Sequence, residues 1–314
     1  KLDEYLSGGK GASAESEVAR AQTAESKGRQ GWPLAYLPKA VVPVHLSGLP
    51  CDMEKIYQIA KAHNLYVIED ACHALGARYR SLPKGKDSKT AMECRDSWTK
   101  VGSCTHSDMS VFSFHPVKHI TCGEGGMITT NSKELYGKLL LYRNHGITRE
   151  FPETRFLEMD SRFYYEMRVL GFNYRMNDLQ AALGNSQLKK MDGWLERRRY
   201  IANLYFQNFS TLKNVKLPYT NDDLIPSFHL FLIQVDQRER WLAELLANGI
   251  MGQIHYLPVP LHPYYRGHGY KMDQLPHAAS YYKKCLSLPI FPRMTSSEVT
   301  RVISAVTKIA ESAK

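Results

Sequence analysis

The chain is 314 residues long and 43% of its residues are hydrophobic, which is enough for two domains with proper cores. No run of about 18 apolar residues occurs, so the sequence predicts no membrane-spanning helix. The first residues also lack the apolar stretch of a secretory signal. The formal net charge of +10 is spread along the chain. We interpret it as a surface that attracts acidic, phosphorylated small molecules, with charge-driven nucleic-acid binding as an alternative.

The six cysteines show no pair with the spacing of a metal or redox motif. We therefore predict that all six are reduced and that the protein is cytosolic. A zinc site built from Cys94, Cys104 and His106 is an alternative, although paired ligand spacing is missing.

Residues 1–36 are rich in Ser, Ala, Gly, Glu and Lys, and this composition predicts disorder or a linker. The first predicted strand covers residues 40–46. Asp52 then caps a predicted helix that ends near His63, and a second strand follows at 66–71. The order strand, helix, strand predicts two parallel strands joined by a right-handed crossover.

Residues 80–107 are polar and basic, which predicts a surface loop or a short hairpin; a substrate or partner contact is the alternative. Ser132 is expected to cap a helix that ends at about Asn144, with Gly146 as the C-terminal signal. Residues 148–170 are aromatic and charged and are expected to form a covering loop.

Asp178 begins what the apolar periodicity predicts to be one long helix to about Phe209. Its apolar side consists of Leu179, Ala182, Leu183, Leu188, Met191, Leu195 and Tyr200. A strand at 228–235, a helix at 238–248, a strand at 253–256 and a final helix follow. Thr295 and Glu298 have the spacing of a capping box for that last helix.

Lys118 lies between two predicted strands, one ending at His115 and one covering 126–130, in a loop that also holds the GEGG run at 123–126. A lysine in such a loop is either an ordinary surface residue or an amine that forms a Schiff base with a carbonyl cofactor. The strand VIEDA at 67–71 favours the second reading. It ends in Asp70, and His73 follows three residues later. An Asp at a strand end, a His just beyond it and a Lys after the next strand are typical of a pyridoxal phosphate (PLP) site.

Several longer segments of the sequence also indicate a PLP site. With these segments the chain resembles the DegT/DnrJ/StrS sugar aminotransferases, most closely those that make 4-amino-4,6-dideoxy sugars on UDP carriers, as in the pseudaminic acid pathway. The resembling segments are VVPVHLSGLPCDM (41–53), VIEDACHALGARY (67–79), SVFSFHPVKHITCGEGGMITTN (110–131), RNHGI (143–147), GFNYRMNDLQAALGNSQL (171–188), SFHLFLIQV (227–235), GQIHYLPVPLHPYY (252–265) and LSLPIFPRMT (286–295).

The resemblance implies an α/β protein of PLP fold type I. Its large PLP-binding domain would cover residues 37–190, with a mainly parallel sheet that lacks its N-terminal part, and a small α/β domain would cover 191–314. Residues 1–36 would not belong to the family pattern. Members carry, before the first strand seen here, a Ser-Gly-Thr loop that binds the cofactor phosphate. We find no such loop in 1–36, so we expect this chain alone to bind PLP poorly.

The resemblance also implies a role for each cofactor-binding residue. Lys118 would form the Schiff base and later move a proton as base and acid. Asp70 would pair with the pyridine nitrogen, and His73 would stack on the ring. Ser113 would bind the cofactor phosphate, as would Asn173 from the neighbouring subunit.

The substrate side of the site follows from the same resemblance. Arg175 would lie near the substrate or phosphate region. His255, Tyr256 and His229 would line the nucleotide-sugar cleft, although core packing fits His229 equally well. Two expectations come from local chemistry alone. Glu69 should point to the strand face opposite Asp70, and the tandem glycines at 125–126 should permit close backbone approach or positive φ.

The implied function is PLP-dependent transamination of a nucleotide-linked 4-keto-6-deoxy sugar, with UDP as the expected nucleotide and glutamate as amino donor, in surface-polysaccharide or glycan sugar biosynthesis. The implied assembly is a homodimer with shared active sites. The alternative is a truncated or degenerate, non-catalytic family member that binds a partner subunit or a nucleotide sugar.

Overall fold

The computed structural model describes residues 38–81, 98–149 and 164–312. Residues 1–36, Cys94 and most of the 80–107 segment therefore lie outside the described residues, as does much of the predicted covering loop. Within the described ranges, none of the helices combines the length and the hydropathy that crossing a membrane requires.

The elements alternate between strands and helices along the chain. The helices are α1 (Met53–Ala62), α2 (Lys133–Arg143), α3 (Asp178–Leu188), α4 (Met191–Phe209), α5 (Arg238–Ala247), α6 (Pro263–Gly267), α7 (Pro276–Lys284) and α8 (Ser296–Ser312). The strands are β1 (Ala40–Val41), β2 (Tyr66–Asp70), β3 (Arg78–Arg80), β4 (Trp98–Lys100), β5 (Met109–Ser113), β6 (Gly126–Thr129), β7 (Ile147–Thr148), β8 (Glu166–Met167), β9 (Val215–Lys216), β10 (Leu224–Ile225), β11 (Phe231–Val235) and β12 (Cys285–Leu288).

A four-stranded sheet in the order β1-β2-β5-β6 forms the first half of the fold. β1, β2 and β5 are parallel, as predicted, and β6 pairs antiparallel with β5. The predicted strand at 40–46 is wrong in its length. β1 ends at Val41, and after Pro43, which cannot donate to a ladder, only an isolated bridge joins Val44 to Asp70.

The helix between β1 and β2 has the predicted boundaries. Asp52 accepts a hydrogen bond from the amide of Lys55 (3.4 Å) and so caps α1, which ends at Ala62. Ser132 caps α2 in the same way through the amide of Leu135 (3.3 Å). β3 and β4, which flank residues 82–97, pair antiparallel. The described ends of the 80–107 segment therefore form the base of a hairpin.

The predicted long helix from Asp178 to Phe209 is wrong, because it is two helices. Asn177 caps α3 in a capping box with Gln180. At the junction, the amide of Lys190 bonds to the carbonyl of Gln187, three residues back instead of four (2.9 Å). α4 starts one residue later. The apolar side of α3 is exposed, whereas that of α4 is buried.

The second half of the fold packs on a sheet in the order β12-β11-β9, with antiparallel pairs. The predicted strand at 253–256 is reduced to one bridge between Gln253 and Ser287. The predicted capping box of the last helix is present, since Thr295 and Glu298 exchange backbone and side-chain hydrogen bonds.

The buried apolar residues form two separate clusters. One surrounds the four-stranded sheet and includes Met53, Val67 and Phe112. The other lies between α4, β11, β12 and α8 and includes Tyr205 and Phe231. The candidate site lies beside the first sheet, where residues from the second half reach it.

Candidate active site

Asp70 is the last residue of β2, at the carboxyl edge of the parallel strands. It lies level with Val111 of β5. Its Oδ1 accepts a hydrogen bond from the amide of Cys72 (3.1 Å), which fixes the carboxylate at the strand end. Ser113 ends β5 two residues beyond Val111, and its Oγ accepts a hydrogen bond from the amide of His115 (3.3 Å). The Ser113 hydroxyl proton therefore stays available for another acceptor.

Lys118 lies in the loop that joins β5 to β6. Its amide bonds to the carbonyl of His115 (3.0 Å), and the loop is closed by a bond from the amide of Cys122 to the carbonyl of Phe114 (3.0 Å). Gly126 permits the close approach of the two strands, because a Cβ there would lie 2.5 Å from the carbonyl oxygen of Phe112. The predicted close backbone approach at the tandem glycines is thus confirmed for Gly126.

The Lys118 amine is half-buried and faces an anionic neighbour. Burial lowers the pKa of Lys118 below its usual value, and the nearby Cys72 and Asp70 side chains oppose this only in part. A lowered pKa increases the fraction of neutral, nucleophilic amine at a given pH, which Schiff-base chemistry requires. The structure thus brings Lys118 and Asp70 together, as the sequence predicted.

His73 lies next to this pair and is buried, with 8% of its surface exposed. Burial, and then the charge of Lys118, lower the pKa of His73 to about 4. Its Nε2 lies 3.4 Å from the hydroxyl of Tyr256. The Lys118 charge also lowers the pKa of His255, after the larger effect of burial. His73 and His255 therefore lie near Lys118, and Tyr256 lies beside His73. Their predicted roles toward the cofactor and the sugar stay predictions.

His255 is fixed by Ser287 of β12, whose Oγ lies 2.5 Å from its Nδ1. Its ring also contacts the ring of Tyr256 edge-on, with 4.6 Å between centroids. Tyr256 is 52% exposed, so it forms the rim of the site. This rim comes from the second half of the fold, while Lys118 and Asp70 come from the first.

His229 does not line the surface of the site in this chain. It is 5% exposed and lies behind His73, with 4.4 Å between the ring centroids. The alternative of core packing therefore describes its place better than the predicted cleft-lining role.

Asn173 and Arg175 both contact Asn144 at the end of α2. Asn173 forms a bridge with Asn144, and the Nη1 of Arg175 donates to the side-chain oxygen of Asn144 (2.8 Å). Both residues are exposed. Their predicted roles toward the cofactor of a neighbouring subunit or toward substrate stay predictions.

Two buried residues, His119 and Ser227, and the half-buried Ser47 lie next to the site and had no predicted role. His119 Nε2 contacts the carbonyl of Ser227 (3.2 Å), and the Ser47 amide donates to His73 Nδ1 (3.3 Å). The SFHLF and SGLP motifs mark two of these positions in the sequence, but no local pattern indicates that they meet. In the described ranges no group of three or more His, Cys, Asp or Glu side chains has a metal-binding arrangement. Cys104 instead contacts Ser110 and Thr129, and His106 contacts the hydroxyl of Tyr79.

Comparisons with known proteins agree with this geometry. The family description DegT/DnrJ/EryC1/StrS aminotransferase matches residues 15–307. This chain belongs to that family. The match includes residues 15–36, which we had predicted to lie outside the family pattern, and they are outside the described residues.

Three relatives illustrate the family. The dTDP-3-amino-3,4,6-trideoxy-alpha-D-glucose transaminase of Streptomyces venezuelae is 35% identical over 87% of this chain and 64% of its own length. The aminotransferase PseC of Helicobacter pylori, involved in pseudaminic acid biosynthesis, is 31% identical with a TM-score of 0.72, over 87% of this chain and 67% of PseC. The sugar aminotransferase Spr1654 of Streptococcus pneumoniae, in its PLP form, is 26% identical with a TM-score of 0.71, over 88% of this chain and 69% of Spr1654.

The predicted family, fold type and cofactor are thereby confirmed. The chain spans about two thirds of the length of these relatives, or slightly less. Its own activity, substrates and partners are accordingly treated as proposals.

The side chains around Lys118 fit PLP. The site offers a carboxylate for the pyridine nitrogen, an amine of lowered pKa for the carbonyl carbon and a hydroxyl donor for the phosphate, from Asp70, Lys118 and Ser113. The neutral imidazole of His73 adds an aromatic surface beside the amine. The pyridine nitrogen, the carbonyl carbon and one phosphate oxygen of the cofactor thus each have a complementary side chain on this chain.

Proposed function

We propose that this chain is a PLP-dependent aminotransferase of a nucleotide-linked 4-keto-6-deoxy sugar, with UDP as the nucleotide and glutamate as the amino donor. The observation that carries the proposal is the placement of Lys118. Its half-buried amine, with a lowered pKa, interacts with the Asp70 carboxylate at the carboxyl edge of β2. The amine and the carboxylate at this edge are the two protein groups that the reaction needs.

When bound, PLP supplies an electron sink for the substrate carbon that loses a proton. Asp70 would hold the pyridine nitrogen in its protonated form, since a carboxylate favours a neighbouring positive charge. Lys118, released from its covalent bond, would move the proton between the substrate carbon and the former carbonyl carbon of the cofactor. Burial favours this role, because it lowers the pKa of Lys118, so that a larger fraction of the amine is neutral at a given pH than in an exposed lysine.

The substrate side is proposed on chemistry and resemblance. His255 lies near Lys118 and Tyr256 lies beside His73, and both would offer hydrogen-bonding groups to sugar hydroxyls. The net charge of +10 would attract a diphosphate-linked sugar. We also place the enzyme in surface-polysaccharide or glycan sugar biosynthesis and in the cytosol. Free thiols at five described cysteines are compatible with a reducing compartment.

We further propose a homodimer in which Asn173 of one subunit serves the cofactor phosphate of the other. Support comes from the exposure of Asn173 and of its neighbours Phe172 and Tyr174, whose rings stack at 4.9 Å on the surface. Exposed, stacked aromatic rings are typical of surfaces that become buried in an interface.

The test begins with PLP alone. The chain is incubated with PLP, reduced with borohydride and digested, and the modified lysine is located by mass spectrometry. We expect the adduct on Lys118 and its loss in Lys118→Ala, whereas Lys55→Ala, at an exposed position of α1, should keep it. An adduct that persists in Lys118→Ala would overturn the assignment.

The second stage measures transamination. Glutamate is added to the PLP-loaded chain, and the amino sugar is detected by mass spectrometry with a UDP-linked 4-keto-6-deoxy sugar and with a dTDP-linked 3-keto sugar in parallel. Product from the UDP sugar is expected. Product only from the dTDP sugar would contradict the proposed substrate, and an adduct without any turnover would favour the non-catalytic alternative.

A further inference from the structure

Three buried imidazole rings follow one another inward from the site. The His73 ring lies 4.4 Å from that of His229, and the His229 ring lies 5.3 Å from that of His119, with tilts of 43° and 50°. Their exposed fractions are 8%, 5% and 5%. Burial is the largest cause that lowers the pKa of each of the three. All three rings are therefore neutral near pH 7, and each carries one ring proton.

Hydrogen bonding fixes where the His73 proton lies. The backbone amide of Ser47 donates to Nδ1 of His73 (3.3 Å), so Nδ1 carries a lone pair. The proton of the neutral ring is then on Nε2, which faces the hydroxyl oxygen of Tyr256 at 3.4 Å. This contact is longer than the usual range of an N–H···O hydrogen bond. Because Nε2–H donates to Tyr256, the phenol proton of Tyr256 is free for a different acceptor.

The backbone around His73 is held by one buried serine. Ser227 Oγ donates to the carbonyl of His73 (2.9 Å), and its amide donates to the carbonyl of Gly48 (3.0 Å). The Ser227 carbonyl in turn contacts Nε2 of His119 (3.2 Å). Gly48, at φ +90°, has no room for a side chain, since a Cβ would lie 2.3 Å from Ser227 Oγ. The loop that carries the Ser47 amide is thus locked against Ser227.

His229 acts on His73 through its ring and not through a hydrogen bond. Its Nδ1 is buried and has no hydrogen-bond partner in the described structure. Arg198 fixes the backbone of His229, since its Nη1 donates to the His229 carbonyl (3.2 Å) and to the Phe228 carbonyl (3.1 Å). The buried His229 ring, in contact with His73 on a fixed backbone, restricts the orientation that His73 can adopt.

We propose that His229 is a positioning residue that, with the Ser47 amide, holds His73 as an Nε2–H donor to Tyr256, so that the Tyr256 hydroxyl donates its own proton to an oxygen of the bound sugar. The substrate part rests on the proposed function. The geometry of the imidazoles does not, and it can be measured without cofactor.

The first test is nitrogen NMR of the cofactor-free chain with ¹⁵N-labelled histidine, with His73 assigned by its loss in His73→Gln. We expect a protonated Nε2 and an unprotonated Nδ1 at pH 7. In His229→Phe, which keeps an aromatic ring, this tautomer should persist. In His229→Ala both tautomers should be populated. The exposed His268→Gln serves as control and should leave the His73 signals unchanged.

Two results would overturn the proposal: a protonated Nδ1 of His73 in the parent chain, or an unchanged His73 tautomer in a folded His229→Ala variant. If His229→Ala fails to fold, the parent chain and His229→Phe still decide the matter, since loss of the tautomer in His229→Phe would also contradict a role through ring contact.

The second test uses the loaded enzyme. Tyr256→Phe and His229→Ala should each raise KM for the sugar about five- to tenfold, as expected for one lost hydrogen bond. An unchanged KM in both variants would overturn the substrate part. Absence of any PLP adduct on Lys118 would refute the proposed function and leave the tautomer result standing.

Discussion

Glu69 and Asp70 are neighbours on β2 and face opposite environments. Glu69 is 1% exposed, and its carboxylate accepts hydrogen bonds from His45 Nε2 (2.9 Å), Ser107 Oγ (2.5 Å) and Ser110 Oγ (2.6 Å). Asp70 faces Lys118. The alternation of a strand thus separates a structural carboxylate from a candidate catalytic one. Burial acts to raise the pKa of Glu69, but the hydrogen bonds it accepts outweigh burial and lower it.

Glu69→Gln should destabilise the fold by roughly 2 kcal/mol or more. The amide nitrogen of Gln would face either the two serine hydroxyls or the Nε2–H of His45. His45 cannot adapt by moving its proton, because its Nδ1 already accepts the amide of Cys51 (3.0 Å). Urea denaturation at pH 7 measures the loss. The control Glu134→Gln, in an exposed pair with Lys138, should leave stability unchanged. Equal stability of Glu69→Gln and the parent would contradict the role of the network.

The local parts of the site were predictable from sequence because local rules govern them. A strand that ends in Asp70, a helix capped by Asp52 and a Gly-rich loop around Lys118 each involve residues within a few positions of one another. The break at Lys189 was not predictable in this way. Leu188 and Met191 continue the apolar period across it, and neither Pro nor Gly marks the turn.

The contacts around the imidazole rings were not predictable from sequence, because they join residues that lie far apart along the chain. Ser227 is separated from His73 by 154 residues and from His119 by 108. Their meeting depends on how the second half of the fold docks on the first, which no periodicity encodes. For the same reason sequence alone could not decide between cleft and core for His229.

Asp70→Asn should lower the pKa of Lys118 further. Asp70 is an anion that favours the charged amine, so its removal leaves burial less opposed. The measurement is NMR of the cofactor-free chain after reductive ¹³C-methylation, with Lys118 assigned by Lys118→Arg. The midpoint of the Lys118 titration should lie below 10.5, the ordinary lysine value, in the parent chain, and it should lie lower still in Asp70→Asn. The control Asp52→Asn, which keeps a good helix cap, should leave the midpoint unchanged. A rise in Asp70→Asn would show that the two groups do not interact.

Stability should fall as the pH drops below about 6.5, in part because of His229. Burial lowers its pKa far below 6.5, so the unfolded chain takes up a proton there and the folded chain does not. In His229→Phe this proton uptake is absent. Between pH 6 and 5, the free energy of unfolding of His229→Phe should therefore fall less steeply than that of the parent chain. The two slopes should differ by about 1.4 kcal/mol per pH unit. Urea titrations at several pH values measure both slopes. Identical slopes would mean that His229 is protonated in the folded chain.

Leu179→Glu should weaken self-association. The apolar side of α3 faces outward, with Leu179, Leu183 and Leu188 exposed by 84%, 42% and 50%. A charge on such a face opposes its burial against a second copy. Sedimentation velocity over a range of concentrations should show a dimer for the parent chain and a shift toward monomer for the variant.

The control for this experiment is Leu246→Glu on α5, where an equally apolar side chain is 63% exposed on the second half of the fold. It should leave the association unchanged. Because Asn173 lies just before α3, a monomeric Leu179→Glu variant should also bind PLP more weakly if the neighbouring subunit contributes to the phosphate site. A monomer that binds PLP as tightly as the parent would show that one chain holds the cofactor by itself. An unchanged dimer would show instead that the apolar side of α3 is not the surface through which two copies meet.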